Sequence, residues 1–180
     1  MKNKNIKLFE EYSEIDDLDF GKFKGIIQKH KLFKLKSGNY KYDGNLNLSS
    51  MELKSLEELP IKIQQVDGWF DCSVNNLTDL KGAPEEVGGE FKCYWNSLTT
   101  LKSAPKYVSG DFDCSGNKLT TLRGILIEVG GDFISEDNPL VIDIISPTTT
   151  IKGEININPP PSIDNIPQYY NQTIHQLVEF

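Results

Sequence analysis

The sequence predicts an α/β-type solenoid that is mainly β, a stack of similar coils in which each coil adds one strand to a parallel sheet. The first observation is a repeat: residues 110–122 return in similar form at 89–101 and at 68–80, with a period of 21 residues. A weaker copy follows from residue 131. The second observation is an apolar residue at alternate positions of each copy, and the third is a proline after several copies. A repeat of about 20 residues is typical of a solenoid, and the alternation indicates a strand in each coil.

Alternation within each copy assigns two positions to the core. Side chains two residues apart in a strand point to the same face, so Phe112 and Cys114 are predicted to be buried beside their equivalents from neighbouring coils. The predicted phenylalanine ladder contains Leu46, Phe70, Phe91, Phe112, Phe133 and Ile155. The predicted cysteine ladder contains Leu48, Cys72, Cys93, Cys114, Ser135 and Ile157. Aliphatic residues at both ends of this second ladder indicate a packing role for the cysteines.

The turn after each predicted strand carries an asparagine in four copies, at Asn75, Asn96, Asn117 and Asn138. Asparagine at a turn can bond neighbouring backbone groups that would otherwise be buried unpaired. We therefore expect each asparagine to bridge to the next coil. The return side of a coil is the segment that leads from the end of one predicted strand back to the start of the next. There Pro84, Pro105 and Pro147 favour an extended segment over a helix.

The chain divides into three predicted parts. Residues 1–43 form an N-terminal helical cap, because apolar residues between positions 6 and 35 recur at roughly helical spacing. Residues 44–158 form the solenoid, in which the first coil carries three extra residues placed at 62–67. Residues 159–180 begin with three prolines, which stop the strand ladder, and continue as a C-terminal cap helix. Caps are expected because open solenoid ends expose apolar surface and strand edges.

Length and composition suit one globular domain. The chain has 180 residues, 38% hydrophobic and 25% charged, and no stretch approaches the roughly 18 to 20 apolar residues that a membrane helix needs. The N-terminus does not resemble a signal peptide, so we expect a cytoplasmic protein. An odd number of cysteines, three, argues against a disulfide framework and fits a reducing compartment.

Charge is distributed unevenly along the chain. Residues 1–43 hold ten lysines against seven acids, whereas residues 44–180 hold nine basic residues against nineteen acids, for a total of -7. An acidic body disfavours contact with nucleic acid or an anionic membrane. Nucleic-acid binding would have to use the lysine-rich segment 22–36, whose alternative interpretation is the solvated face of an amphipathic capping helix.

The segment Phe112–Leu119 resembles the conserved strand segment of leucine-rich repeats, with phenylalanine and cysteine in the first two leucine places. The following Leu-Thr-x-Leu and Ala83-Pro84 are similar to the short repeats of bacterial leucine-rich-repeat effectors. The Gly-x-Phe-x-Cys form also resembles repeats of bacteriophage and bacterial proteins. The resemblance covers residues 44–158 and departs from the family pattern where Gly88 and Gly130 replace a leucine before the strand. It implies an α/β-type solenoid with the parallel sheet on its concave face.

The outward residues of the predicted strands are the candidate binding surface. Large aromatic side chains such as Trp69, Tyr94 and Trp95 are enriched at protein interfaces and are not needed there for folding. The alternative is that they pack on the caps or on one another. The predicted protein-binding residues are Trp69, Asp71, Val74, Glu90, Lys92, Tyr94, Trp95, Asp111, Asp113, Asp132 and Ile134. Their acidic character predicts a partner with a basic surface.

Catalytic and metal-binding interpretations receive little support. The outward acids could form a glycosidase-like carboxylate pair or a divalent-metal site, but their regular spacing favours a repeat property. Three cysteines could converge on zinc, which usually requires a fourth ligand. His30 and His175 lie outside the repeats, without a nucleophile spaced for a triad. We therefore predict no enzyme activity, no cofactor and no metal.

Three functions remain open at this level. The first is a protein-protein interaction module that uses the acidic, aromatic-bearing concave face; the phage resemblance implies, more narrowly, an inhibitor of a host factor in the host cytoplasm. The second is a structural or assembly subunit that self-associates through its caps. The third is nucleic-acid binding through the basic N-terminal segment.

Overall fold

The computed structural model describes residue 15 and residues 18–122, 127–139 and 149–157. These residues form a β solenoid of about five turns with a repeat of about 21 residues. In chain order the strands are β1 (Leu32–Lys34), β2 (Tyr40–Tyr42), β3 (Leu46–Asn47), β4 (Ile63–Val66), β5 (Phe70–Asp71), β6 (Glu86–Val87), β7 (Phe91–Lys92), β8 (Tyr107–Val108), β9 (Phe112–Asp113), β10 (Glu128–Val129), β11 (Phe133–Ile134), β12 (Thr150–Ile151) and β13 (Ile155–Asn156).

The strands build two sheets, and each coil contributes one strand to each. The first sheet has the order β1-β2-β4-β6-β8-β10-β12, and the second has the order β13-β11-β9-β7-β5-β3. Pairing is parallel except between β1 and β2, which are antiparallel. In the second sheet Phe70 lies opposite Phe91, which lies opposite Phe112. Leu46 and Ile155, the predicted ends of the phenylalanine ladder, lie on the two end strands of this sheet, opposite Phe70 and Phe133.

Both predicted ladders are confirmed in the core. Phe70, Phe91, Phe112 and Phe133 stack with ring centroids 5.5, 5.1 and 5.4 Å apart. These rings and the three cysteines are buried, together with the leucines of the turn and a ladder of valines from the first sheet. One continuous core thus runs through the coils, which is how stacked repeats bury a surface that a single repeat cannot.

A column of glycines lets the chain turn between the two sheets. Gly89 N–H donates to Gly68 O, Gly110 N–H to Gly89 O and Gly131 N–H to Gly110 O, each at 3.0 Å. A Cβ atom on Gly89 would lie 2.8 Å from the backbone nitrogen of Trp69. The recurring glycine is therefore required by close approach of neighbouring backbones.

The asparagines bridge neighbouring coils as predicted, but the expected direction was wrong, because each asparagine reaches the preceding coil and not the next one. Asn96 Oδ1 accepts from Leu77 N–H at 3.0 Å, while its Nδ2 donates to Cys72 O at 3.0 Å and to Cys93 O at 3.1 Å. Equivalent bonds are made by Asn75, Asn117 and Asn138. Each side chain satisfies backbone groups of two coils at once.

The return side of the coils is extended, as the prolines indicated, because β6 follows Pro84 and β8 follows Pro105. Pro147 lies outside the described residues.

The prediction of an α/β-type solenoid was wrong: residues 18–122, 127–139 and 149–157 contain no α-helical element, and the return side forms a second parallel sheet. Only six residues lie between Leu80 and Val87, and one of them is a proline, which leaves no room for a helix. The first coil has a β-bulge at Gln64, which lies within the segment 62–67 where the extra residues were predicted.

The predicted helical character of the N-terminal cap was also wrong for residues 18–35. This segment forms two 3-10 turns, Gly21–Phe23 and Lys29–Lys31, and then β1. Gly21 and Gly25 have φ values of 47° and 88°, and such left-handed conformations interrupt a helix.

The N-terminal segment nevertheless covers the first coil. Its apolar residues are buried in the common core; they are Phe20, Phe23, Ile27 and Leu32. Positions 1–14 and the predicted cap helix at 159–180 lie outside the described residues. Within the described part of the chain, no helix has the length and apolar character needed to cross a membrane.

Candidate functional site

The outer face of the second sheet brings the predicted site residues together in two rows. We call the positions before the phenylalanine ladder the first row: Asn45, Trp69, Glu90, Asp111, Asp132 and Glu154. The positions between the two ladders form the second row: Asn47, Asp71, Lys92, Asp113, Ile134 and Asn156. Because the strands are in register, each row runs along the solenoid axis with one residue from each coil.

Two carboxylates of the first row, those of Asp111 and Asp132, accept hydrogen bonds from the backbone of the next coil. Asp111 Oδ1 accepts from Asp132 N–H at 2.8 Å, and Asp132 Oδ1 accepts from Glu154 N–H at 2.8 Å. Asn45 Oδ1 accepts from Trp69 N–H at 3.1 Å in the same way. These side chains therefore help to hold neighbouring coils together, a structural role that the sequence interpretation did not include.

Acids of the second row cap the strand of their own coil. Asp71 Oδ1 accepts from Ser73 N–H at 2.9 Å and from the Ser73 hydroxyl at 2.6 Å, and Asp113 Oδ1 accepts from Ser115 N–H at 2.9 Å. These bonds form Asx turns. Each of these carboxylates thus has one oxygen committed to the fold.

Lys92 separates the two acids of the second row. It lies in register with Asp71 on one side and Asp113 on the other, and its ammonium forms an ion pair with Glu90. The hydrogen bond from Lys92 to Glu90, with nearby negative charge including that of Asp71, raises the pKa of the lysine. The outer face is therefore a mixed surface with a cation at its centre.

A third row lies just beyond the second sheet, where the chain adopts a left-handed conformation in each of five successive coils. We call it the left-handed row; its members are Ser50, Val74, Trp95, Gly116 and Asp137, with φ values of 56°, 55°, 51°, 61° and 51°. The backbone stays in register there. Val74 N–H donates to Tyr94 O at 3.0 Å, and Trp95 N–H donates to Ser115 O at 2.9 Å.

Two members of the left-handed row have side chains that are poorly suited to it. A left-handed conformation costs a residue with a Cβ about 1–2 kcal/mol, and a bulky or β-branched residue there is an outlier. Val74 is nevertheless β-branched and 41% exposed, and Trp95 is the largest side chain type and 63% exposed. Because both side chains are largely exposed, the free energy gained by burying them offsets only part of the cost of the left-handed backbone.

Trp95 rests on the glycine of the next coil. Its indole Cδ1 and Nε1 are the atoms that a Cβ on Gly116 would meet, with Nε1 at 2.8 Å and Cδ1 closer still. Tyr94 meets the indole edge-on, with ring centroids 5.9 Å apart and an interplanar angle of 87°. We call Val74, Tyr94 and Trp95 the aromatic patch. The two rings contact one another, one of the alternatives left open by the sequence, yet Trp95 remains mostly exposed.

Not all predicted residues belong to the aromatic patch. Trp69 is half-buried in the first row, where its backbone is bonded to Asn45, and Ile134 is half-buried in the second row beside Asp113. Gly116 and Asp137, by contrast, were absent from the predicted site. The sequence does contain a pattern that indicates this row. The 21-residue period aligns Val74 and Trp95 with glycine and aspartate, which tolerate left-handed conformations.

The cysteines lie in the core and not at this surface. All three are free and buried, and the thiols of Cys72 and Cys114 donate to carbonyls of the next coil at 3.4 Å. Burial raises the pKa of Cys114 to about 12 and raises that of Cys93 as well. Among the described residues, no group of three or more His, Cys, Asp or Glu side chains is arranged to hold a metal ion.

The lysine-rich segment lies on the N-terminal cap. Lys22 Nζ is 2.5 Å from Glu58 Oε2, and the ammonium groups of Lys29 and Lys31 stand over the rings of Phe20 and Tyr42 at 5.6 and 6.0 Å. Lysine stems that cover apolar rings while their charged ends face water are characteristic of a solvated face. These contacts are those of a cap that shields the first coil.

Comparison with known proteins gives no relative for this chain. No protein-family model matches it, no curated protein matches it, and no solved structure matches it.

Proposed function

We propose that the protein is a non-enzymatic interaction module that binds a partner protein through the aromatic patch and the adjoining outer face of the second sheet. The observation that carries the proposal is the placement of Val74 and Trp95 in the left-handed row. Folding alone favours glycine, asparagine or aspartate at such positions, and the same row holds Gly116 and Asp137. Apolar residues that are both strained and exposed are typical of surfaces that bind a ligand or a partner protein.

The character of the patch also supports a protein ligand. Tryptophan and tyrosine are enriched among residues that dominate binding energy at protein interfaces. The rigid platform beneath them, made by Gly116 and by backbone bonds between coils, limits the entropy lost when a partner binds. The surrounding rows supply a polar rim that includes the Lys92–Glu90 ion pair.

We further propose that the coils are short leucine-rich repeats whose return side has become a second sheet. The asparagine bridges and the strand segment with its leucine-like positions support this assignment, while the return sheet and the missing leucine at Gly88 set the chain apart from the usual pattern. A cytoplasmic inhibitor of a host factor, of the kind found in bacteriophages, is the narrower role, and it rests on the resemblance alone.

The test uses single asparagine substitutions, because asparagine tolerates the left-handed conformation. Trp95→Asn and Val74→Asn should leave the urea midpoint unchanged or higher, since backbone strain is relieved. Capture of the partner from an extract of the producing cells, followed by titration with the purified partner, should show an affinity at least about tenfold weaker for Trp95→Asn.

Tyr107→Asn provides the matched control. Tyr107 is an aromatic residue of similar exposure to Val74, 39%, but it lies on the first sheet in an ordinary strand. Its substitution should not change partner affinity. Equal binding by wild type and Trp95→Asn, or equal loss in Tyr107→Asn, would contradict the proposal. A captured partner that is a second copy of the chain would instead favour the assembly role.

A further inference from the structure

We infer that the aromatic patch receives a cationic side chain, arginine or lysine, from a basic segment of the partner, with the cation on the indole face of Trp95 and with Glu136 and Asp137 beside it. This inference rests on the proposed function and specifies the chemistry of the partner at one point. It is drawn from the direction in which the indole lies and from the charges of the coil that follows.

The indole of Trp95 lies across Gly116, toward the coil that contains Asp137. In the left-handed row Trp95, Gly116 and Asp137 occupy equivalent positions of three successive coils, at about 4.8 Å a step. Gly116 N–H donates to Glu136 O at 2.9 Å, which fixes the coil of Asp137 directly beside Gly116. Two exposed acids, Glu136 and Asp137, therefore stand one coil beyond the residue on which the ring rests.

The charges of the two coils that follow Trp95 favour a cation. Asp113 lies on the same coil as Gly116, and with Glu136 and Asp137 it makes three carboxylates. The basic residue of that coil nearest in sequence to Gly116 is the exposed Lys118, while Lys92 is already paired with Glu90. These three carboxylates and Lys118 therefore carry a net negative charge on the side toward which the indole lies.

A cation adds two interactions that a neutral ligand lacks. Arginine and lysine are attracted to the electron-rich face of an indole, and tryptophan is the best aromatic partner for them. A neighbouring carboxylate then contributes a charge-assisted hydrogen bond. Glu136 and Asp137 replace Ser73 and Val74, Tyr94 and Trp95, or Ser115 and Gly116 of the preceding coils, so the acidic pair marks the end of the patch toward which the ring points.

The experiment uses the full chain with Trp69→Phe, which makes Trp95 the sole tryptophan and hence a fluorescence reporter. The probe is a short arginine-rich peptide, and the matched control is the same peptide with citrulline in place of arginine, which removes charge and keeps shape. We expect saturable, salt-sensitive quenching by the arginine peptide. Affinity should be at least about fivefold weaker for the citrulline peptide.

Paired substitutions separate a local site from the net charge of the protein. Glu136→Gln with Asp137→Asn should weaken the arginine peptide about fivefold, whereas Glu57→Gln with Glu86→Gln removes two exposed charges elsewhere and should change the affinity less than about twofold. Equal effects of the two pairs would overturn the inference, because binding would then follow diffuse charge. So would equal binding of the citrulline peptide, or a Trp95 response to neutral oligosaccharides and not to arginine.

The outcome is distinguishable from failure of the proposed function. If Trp95→Asn abolishes partner binding but the arginine peptide does not respond to Trp95 or to the acidic pair, only the cationic assignment fails. If the natural partner binds Trp95→Asn as tightly as wild type, the aromatic patch itself is not the binding site.

Discussion

At position 116 the backbone conformation and the neighbouring side chain impose two requirements that only glycine satisfies together. Its φ of 61° lies in the left-handed region, and the indole of Trp95 occupies the space that a Cβ would fill. Trp95 and Val74, at equivalent positions, meet only the first requirement and do so at a conformational cost. At the residue scale, therefore, the left-handed row contains one glycine on which the tryptophan rests and two apolar residues whose backbone conformation costs free energy.

Gly116→Ala separates these two requirements. The left-handed φ should cost about 1 kcal/mol of unfolding free energy, and the new methyl group should displace the exposed indole. Urea unfolding measures the first effect, and Trp95 fluorescence in a Trp69→Phe background measures the second. Gly38→Ala is the control: its φ is 86° and a Cβ there meets nothing within 4 Å, so it should show a similar loss of stability without a change in emission. Identical Trp95 emission before and after Gly116→Ala would show that the ring does not rest on this residue.

At the scale of the element, a coil is defined by what joins it to its neighbours. The glycine column and the asparagine bridges both satisfy backbone groups across coils, and Asp111 and Asp132 add carboxylate bonds to the same boundary. The strands themselves are only two residues long in most coils. Side chains thus supply much of the hydrogen bonding that longer strands would provide through the backbone.

Asn96→Ala should destabilise the protein by about 2 kcal/mol. Its amide oxygen accepts from Leu77 N–H, and removing it leaves this buried donor without its partner, whereas Cys72 O and Cys93 O lose one bond each but still accept from Asn75 and Asn117. Urea denaturation followed by circular dichroism gives the change in unfolding free energy. Asn76→Ala is the matched control, because Asn76 is an exposed asparagine of the neighbouring turn, and its substitution should cost less than about 0.5 kcal/mol. A similar loss in both variants would show that the bridge is not the source of the stability.

At the scale of the molecule, the coils share one core and are covered at the N-terminal end. The phenylalanine stack passes without interruption from Phe70 to Phe133, and the N-terminal segment adds Phe20 and Phe23 to the same cluster. In repeat proteins each unit is stabilised mainly by its neighbours, so strong coupling between units makes unfolding cooperative. The cysteine ladder reports on this coupling, because it places one thiol in each of three successive coils.

The three thiols should react together or not at all. Burial raises the pKa of each cysteine, including that of Cys114 to about 12, so at pH 8 the folded protein presents almost no reactive thiolate. Brief alkylation at increasing urea, read by intact mass, should show molecules with no label or with three. The fully unfolded protein is the control and should carry all three. A substantial population with one or two labels would show that coils open independently.

The sequence by itself determined the period, the two core ladders, the asparagine bridges and the extended return side. Each depends on residues close together in the chain, whose alternation, turn preference or proline content has a local physical meaning. The same local signals failed for residues 18–35. Apolar spacing there suits a helix, but Gly21 and Gly25 adopt left-handed conformations and the segment closes the core with 3-10 turns instead.

Only the tertiary structure decided how the outward residues are used. Asp111 and Asp113 look free in the repeat, yet one bonds the backbone of the next coil and the other caps its own strand. Trp95 looks like one aromatic among several, yet it lies on Gly116, a neighbour 21 residues away. Such contacts are set by the distance between successive coils, which brings residues one repeat apart within a few ångströms. The period indicates which residues become neighbours, whereas the packing of the coils decides which of them interact.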